Sequence, residues 1–243
     1  MSCNDVIGGQ RSCKLCGVTI SLNQKAIAAL LIFVAAIMAL LFVFAGTFHW
    51  WQGWTFLVFY LVPSIAITAY LMVNDPALLA RRMRGGPTAE NSATQKIIMS
   101  IVSVGFIGLL VVPALDHSFG WSHMPLAVTL AGDAMILIGW IAVFVVFREN
   151  SFTSSTIEIS DDQRVISTGP YALVRHPMYA GAFIMLLGIP LALGSWWGLL
   201  VLATMMPALI WRLFDEEKFL KDNLPGYLEY TALVRHRLIP RIW

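Results

Sequence analysis

Between Ser167 and Gly181 the chain reads STGPYALVRHPMYAG, which sets Arg175, His176, Tyr171 and Tyr179 around a Gly169-Pro170 turn and a second proline. Pro177 holds His176 out of the α region and itself suits the first position of a helix. His176 is therefore expected at a helix N-terminus, where free N–H groups and the positive dipole end favour an anion or a carboxylate. Gly181 allows another backbone or a ligand to come close. A second group of capable residues follows downstream: Arg212, Asp215, Glu216 and Glu217, then Tyr227, Tyr230, Arg235, His236 and Arg237. Arg212 and Glu216 are four residues apart, a spacing that predicts an ion pair on one helical face. Glu216 and Glu217 point about 100° apart on a helix, so both serve one ligand only if it nestles against that helix end.

The elements that must position these residues are apolar. The chain has 243 residues, 58% of them hydrophobic and only 12% charged. Soluble domains carry about a quarter charged residues, so this composition predicts an all-α integral membrane protein. Lys25–Gly46, Trp54–Val73, Lys96–Leu115 and Pro125–Phe147 each approach the ~20 apolar residues that span a bilayer. Tyr179–Leu213 is too long for one crossing, and Gly188, Pro190 and Gly194-Ser195 divide it into a helix, a turn near Leu193–Trp197 and a returning helix. Six crossings result, the last two forming a C-terminal hairpin. Under this segmentation all 16 Lys and Arg lie on one side, which predicts both termini and the chemistry in the cytosol. The opposite loops hold His49, Trp50, Trp51, Trp54, Trp121, Trp196 and Trp197, an expected aromatic belt.

Residues 1–24 read as a polar cytosolic tail and 25–243 as one membrane domain, with 147–243 as its catalytic region. Cys13 and Cys16 in that tail form a single CxxC, too few ligands for a zinc site within the chain, so no metal is expected. Two cytosolic connections carry further detail. In Asn74–Gln95, Asn74 or Asp75 caps a predicted interfacial helix that begins at Pro76. In Arg148–Met178, Thr156–Ile159 and Arg164–Ile166 bracket Asp161-Asp162 and predict a small hairpin. Asp133 falls inside the fourth span, where a charge costs about 2.5–3.5 kcal/mol, and should face the bundle interior.

The ordered set GPYALVRHPMYAG, a hairpin with GSWW, and RLFDEEKFL followed by GYLEYTALVRHRLIP resembles the isoprenylcysteine carboxyl methyltransferase family, whose signature is shared with phospholipid N-methyltransferases. The resemblance covers about Arg148 to Trp243. It implies an integral membrane enzyme that uses S-adenosylmethionine without a Rossmann domain, and no GxGxxG after a strand is present. It also implies a cofactor pocket made from Tyr171, Val174, Arg175, His176, Pro177, Tyr179 and Gly181 on one side and Glu216 and Glu217 on the other. Arg237, or else Arg235, is expected to orient an anionic acceptor, and Glu217 is the other expected catalytic residue, a candidate base for an amine or thiol together with His176 and His236. The acceptor would be a lipophilic small molecule or a lipidated group reached from membrane lipid, with no nucleic acid involved. A prenylcysteine carboxylate, a phospholipid amine and a small thiol all remain open, as do an NADPH-dependent sterol-type reductase and a non-catalytic interaction protein.

Overall fold

The computed structural model describes residues 21–159 and 162–243. Cys3, Cys13 and Cys16, and Asp161 of the expected hairpin, lie outside the described residues.

Six helices carry the fold: α1 (Leu22–Ala45), α2 (Trp51–Asn74), α4 (Ala93–Phe119), α5 (Leu126–Glu149), α6 (Pro177–Ala192) and α7 (Trp197–Asn223). Two short ones, α3 (Pro76–Met83) and α8 (Tyr227–Leu233), lie between and after them. Five of these helices are long and apolar enough to cross a membrane, and α6 is a shorter apolar helix of 16 residues. The chain is an all-α integral membrane protein with about six crossings. The long helices close a ring in the order α5, α6, α7, α4, α1, α2 and back to α5, with α6 also touching α2 and α4 across the middle. Leu109, Leu110, Ile136 and Ile189 are fully buried there.

Local sequence explains the ends. Ser21 and Gln24 form a reciprocal capping box on α1, and Gly46 ends it at φ 66°, a left-handed conformation that glycine adopts without steric cost. Asp75 accepts from the Leu78 N–H at 2.9 Å and Pro76 opens α3, which buries Leu78 and Leu79. The α6–α7 turn falls where Gly194 and Ser195 predict it.

The α5–α6 contact is the closest in the ring, and glycines make it so. A Cβ on Gly132 would lie 2.3 Å from the Ala192 backbone N, and one on Gly188 would lie 2.7 Å from the Gly132 carbonyl. One on Gly139 would lie 2.8 Å from the Gly181 carbonyl. Small residues let helix backbones meet where burial against lipid supplies little driving force. Gly181 therefore lets another backbone come close, one of the two alternatives its sequence position leaves open.

Two expectations change. Trp50 is not part of an exposed belt: it is 1% exposed and stacks on His117 with ring centroids 4.9 Å apart, while Trp51, Trp54, Trp121, Trp196 and Trp197 are exposed. The 156–166 segment contains no strand among the described residues; Glu158 accepts from the Ser154 hydroxyl at 2.8 Å and the Ile157 N–H donates to Glu90 at 3.4 Å. At the turn end of the bundle Asp116 accepts from the Ser122 N–H at 2.7 Å and from the hydroxyls of Ser122 and Ser195, joining two connections. Asp133 is 2% exposed and faces the interior, as its cost in lipid requires.

Candidate functional site

At the end opposite the α6–α7 turn, a cavity of about 500 Å³ lies beneath residues 150–158 and 163–166 and continues down between α4, α6 and α7. Its polar end is lined by Tyr171, Arg175, His176, Pro177, Tyr179 and Glu216, and also by Arg82, Arg212, Tyr227 and Tyr230. Its lower arm is lined by Met99, Val102 and Phe106 from α4, Phe183 and Leu186 from α6, and Leu209 from α7.

The RHP turn is built as its prolines dictate. A 3₁₀ turn over Gly169–Ala172 follows Gly169 at φ 57°, and His176 is the N-cap of α6. The C-terminal segment then fastens this turn: the Arg175 N–H donates to the His236 carbonyl and the His176 N–H to the Arg237 carbonyl, each at 2.9 Å. Tyr230 donates its hydroxyl to the Tyr171 carbonyl at 2.7 Å, closing the same joint from α8. Burial pushes the Tyr230 phenol up to about 12 and raises those of Tyr171 and Tyr227 further, so all three remain protonated donors at neutral pH. The Tyr227 hydroxyl and the Arg175 Nε have no hydrogen-bond partner among the described residues. Unpaired polar atoms at a buried cavity wall are suited to a ligand that completes them.

The two adjacent glutamates have separate tasks. Glu216 lines the cavity and accepts from the Tyr179 hydroxyl at 2.6 Å. Glu217 does not line it; its carboxylate pairs with Arg175 at 3.1 Å, Lys221 at 2.9 Å and Arg237 at 2.7 Å, with His176 Nε2 3.9 Å away. Its expected place as a ligand acceptor is thereby taken by protein cations. Arg237 is likewise committed, its Nε on Glu217 and its guanidinium 5.2 Å over the Phe214 ring, and it is not among the lining residues. Val174 is buried behind the turn, and Gly181 on α6 packs against α5. Six of the expected site residues thus share one cavity wall, and Val174, Gly181, Glu217 and Arg237 stand behind it.

Arg212 does not pair with Glu216 as its spacing suggests. It binds Glu90 at 2.8 Å, Gln95 at 2.7 Å and the Ser155 carbonyl at 2.9 Å, and Gln95 also donates to Asp215. Arg82 donates to the Ser154 carbonyl at 2.9 Å and accepts, through its own carbonyl, from the Ser155 hydroxyl at 2.8 Å. These bonds hold the 150–158 segment over the cavity. Sequence reasoning missed Glu90, Gln95, Arg82, Ser154 and Ser155, because they lie in polar connections whose partners are distant in sequence. The one available signal was the length of the 148–178 connection, more than a simple link between helices requires.

No curated protein matches the chain. Residues 127–225, which run from α5 through α7 and hold the RHP turn, Tyr179, Glu216 and Glu217, match the family model for phospholipid methyltransferase.

Proposed function

We propose that this protein is a membrane methyltransferase that binds S-adenosylmethionine at the polar end of the cavity and methylates a lipophilic acceptor lying in the apolar arm. The observation that carries the reading is the continuity of a wall rich in donors and acceptors with an arm of hydrocarbon side chains at membrane depth. The similarity of residues 127–225 to phospholipid methyltransferases supports the reaction class and leaves the acceptor open.

The residues present fit such a cofactor. Glu216 has a carboxylate at the wall for an amino group or ribose hydroxyls, and Tyr171 and Tyr227 have protonated phenols. Arg175 Nε and His176 are donors for a carboxylate. When bound, the cofactor supplies a methyl group activated on a sulfonium. The protein's part is alignment and exclusion of water: the roof over 150–158 closes the polar end, and proximity of this kind is worth up to about 7–11 kcal/mol. A prenylcysteine-type carboxylate is the acceptor that asks least of this site, being ionised at neutral pH and needing no base. A phospholipid amine or a thiol must first lose a proton. His176 is the lining imidazole, and Glu216 already accepts from Tyr179.

Calorimetric titration of the detergent-solubilised full chain with S-adenosylhomocysteine tests the reading. Saturable binding is expected, weakened in Glu216→Gln by about 1.5–3 kcal/mol, the worth of a hydrogen bond to a charged group. Affinity unchanged in the variant removes Glu216 from the site; binding of NADPH but not of S-adenosylhomocysteine replaces the reading with a sterol-type reductase.

The site faces the cytosol in this proposal, because every Lys and Arg among the described residues lies toward that end of the bundle. Cysteines introduced at Gln52 and at Gly86 should label from opposite sides of sealed vesicles, Gly86 from the cytosolic side. Labelling of both from one side overturns the topology.

A further inference from the structure

Met99, Val102 and Phe106 follow one another at the i, i+3, i+7 spacing of a single helical stripe, and all three line the apolar arm. Their helix, α4, lies outside the 127–225 segment that resembles phospholipid methyltransferases. It is nevertheless held firmly against the site, since Gln95 at its first turn bonds both Arg212 and Asp215 of α7. From Met99 to Phe106 the stripe descends about 10 Å at 1.5 Å per residue. Below it the bundle closes. Leu109, Leu110 and Ile189 are 0% exposed and Met205 is 1% exposed. A Cβ on Gly105 would lie 2.3 Å from Met205 Cγ, so α4 and α7 are in contact at that depth. Phe183 and Leu186 close the opposite wall.

We propose that the α4 stripe Met99–Val102–Phe106 gauges the acceptor, which is an amphiphile with one apolar chain that runs down the stripe and stops at Phe106. This rests on the methyltransferase reading and adds the acceptor's shape to it. A single chain follows from volume: the cavity of about 500 Å³ must hold the cofactor as well, and its arm has a floor. Two acyl chains side by side do not fit beneath the polar end. The residues that set chain length come from the half of the protein without the family resemblance, so this preference belongs to this chain's own α4.

The test uses N-acetyl-S-alkylcysteines of increasing chain length as methyl acceptors with labelled S-adenosylmethionine, and the same compound with a diazirine at the chain end as a photoprobe in the presence of S-adenosylhomocysteine. Turnover should fall about tenfold or more once the chain outgrows the floor, the scale of discrimination that a hydrocarbon pocket achieves. Phe106→Ala should move the cut-off to longer chains and Val102→Phe to shorter ones. Ile101→Phe, on the exposed face of the same helix, should leave it unmoved. The photoprobe should label the peptide carrying Met99–Phe106. Methylation with the same chain-length profile in Phe106→Ala and Val102→Phe overturns the gauge and leaves the methyltransferase reading standing. So does labelling confined to the lipid-facing groove of Ile67 and Tyr70 on α2 and Ile141 and Phe144 on α5. If S-adenosylhomocysteine does not bind and no acceptor is methylated, the underlying reading fails; if it binds but none of the series is methylated, the labelled peptide decides.

Discussion

Glu217→Gln is expected to lower the stability of the detergent-solubilised protein by about 3–5 kcal/mol, the cost of removing one partner from a buried ion pair. Its carboxylate is 3% exposed and Arg175, one of its partners, is 7% exposed, so the substitution leaves a buried guanidinium with its counter-charge gone. The other two cations tell against a larger figure: Lys221 and Arg237 are 37% and 29% exposed and can turn to water. Lys221→Ala should therefore cost less than about 1 kcal/mol, which separates the buried half of the cluster from its solvated half. Thermal unfolding of both variants checks this. Equal loss in the two, or loss of S-adenosylhomocysteine affinity in Glu217→Gln with an unchanged melting point, returns Glu217 to the ligand wall. Because Arg175 and Arg237 both hold Glu217 while their backbones bridge residues 175–176 to 236–237, the cluster positions the RHP turn from behind.

What could be read from the sequence was whatever depends on a single helix or turn. Span lengths, the cap at Asp75, the turn at Gly194-Ser195 and the placement of His176 before Pro177 are each decided by residues within a few positions of one another. Partnerships between elements were not legible. The i, i+4 spacing of Arg212 and Glu216 is a real geometric opportunity, yet a buried guanidinium takes the carboxylate that can be desolvated with it. Glu90, 1% exposed at its side chain, meets that need. The angle between Glu216 and Glu217 was readable as helical geometry, but whether each side chain met ligand or protein depended on where 235–237 folded back. Trp50 sits among like neighbours in the sequence, and its distant partners, His117 on α4 and Phe42 on α1, put it inside. Gly132 and Gly139, and Gly181 and Gly188, are each seven residues apart. That paired spacing on antiparallel helices was in the sequence as a sign of close packing.

Gly139→Ala should be destabilising although alanine is the better helix former. In an unobstructed helix the exchange gains about 0.8–1 kcal/mol of intrinsic propensity. At Gly139 the added Cβ would lie 2.6 Å from Met185 Cβ, 2.8 Å from the Gly181 carbonyl and 3.0 Å from the Met185 N, and two of those atoms are backbone that no rotamer change removes. Helix α6 must move away from α5, and overpacking of this kind costs about 1–3 kcal/mol or more. Gly108→Ala is the matched control: its Cβ would meet only the Val201 Cγ1 at 3.1 Å, a contact that a few tenths of an ångström relieves. The control should be neutral or stabilising, so the two variants differ in sign. Function should follow, because Tyr179 stands two residues from Gly181 on the helix that moves, and its hydroxyl must stay within reach of Glu216. Gly139→Ala is expected to weaken S-adenosylhomocysteine binding as well as stability, whereas Gly108→Ala leaves both intact. Equal melting points for the two variants would mean that α5 and α6 are held apart from one another in the membrane, and the glycine pairs would then no longer account for the position of the RHP turn.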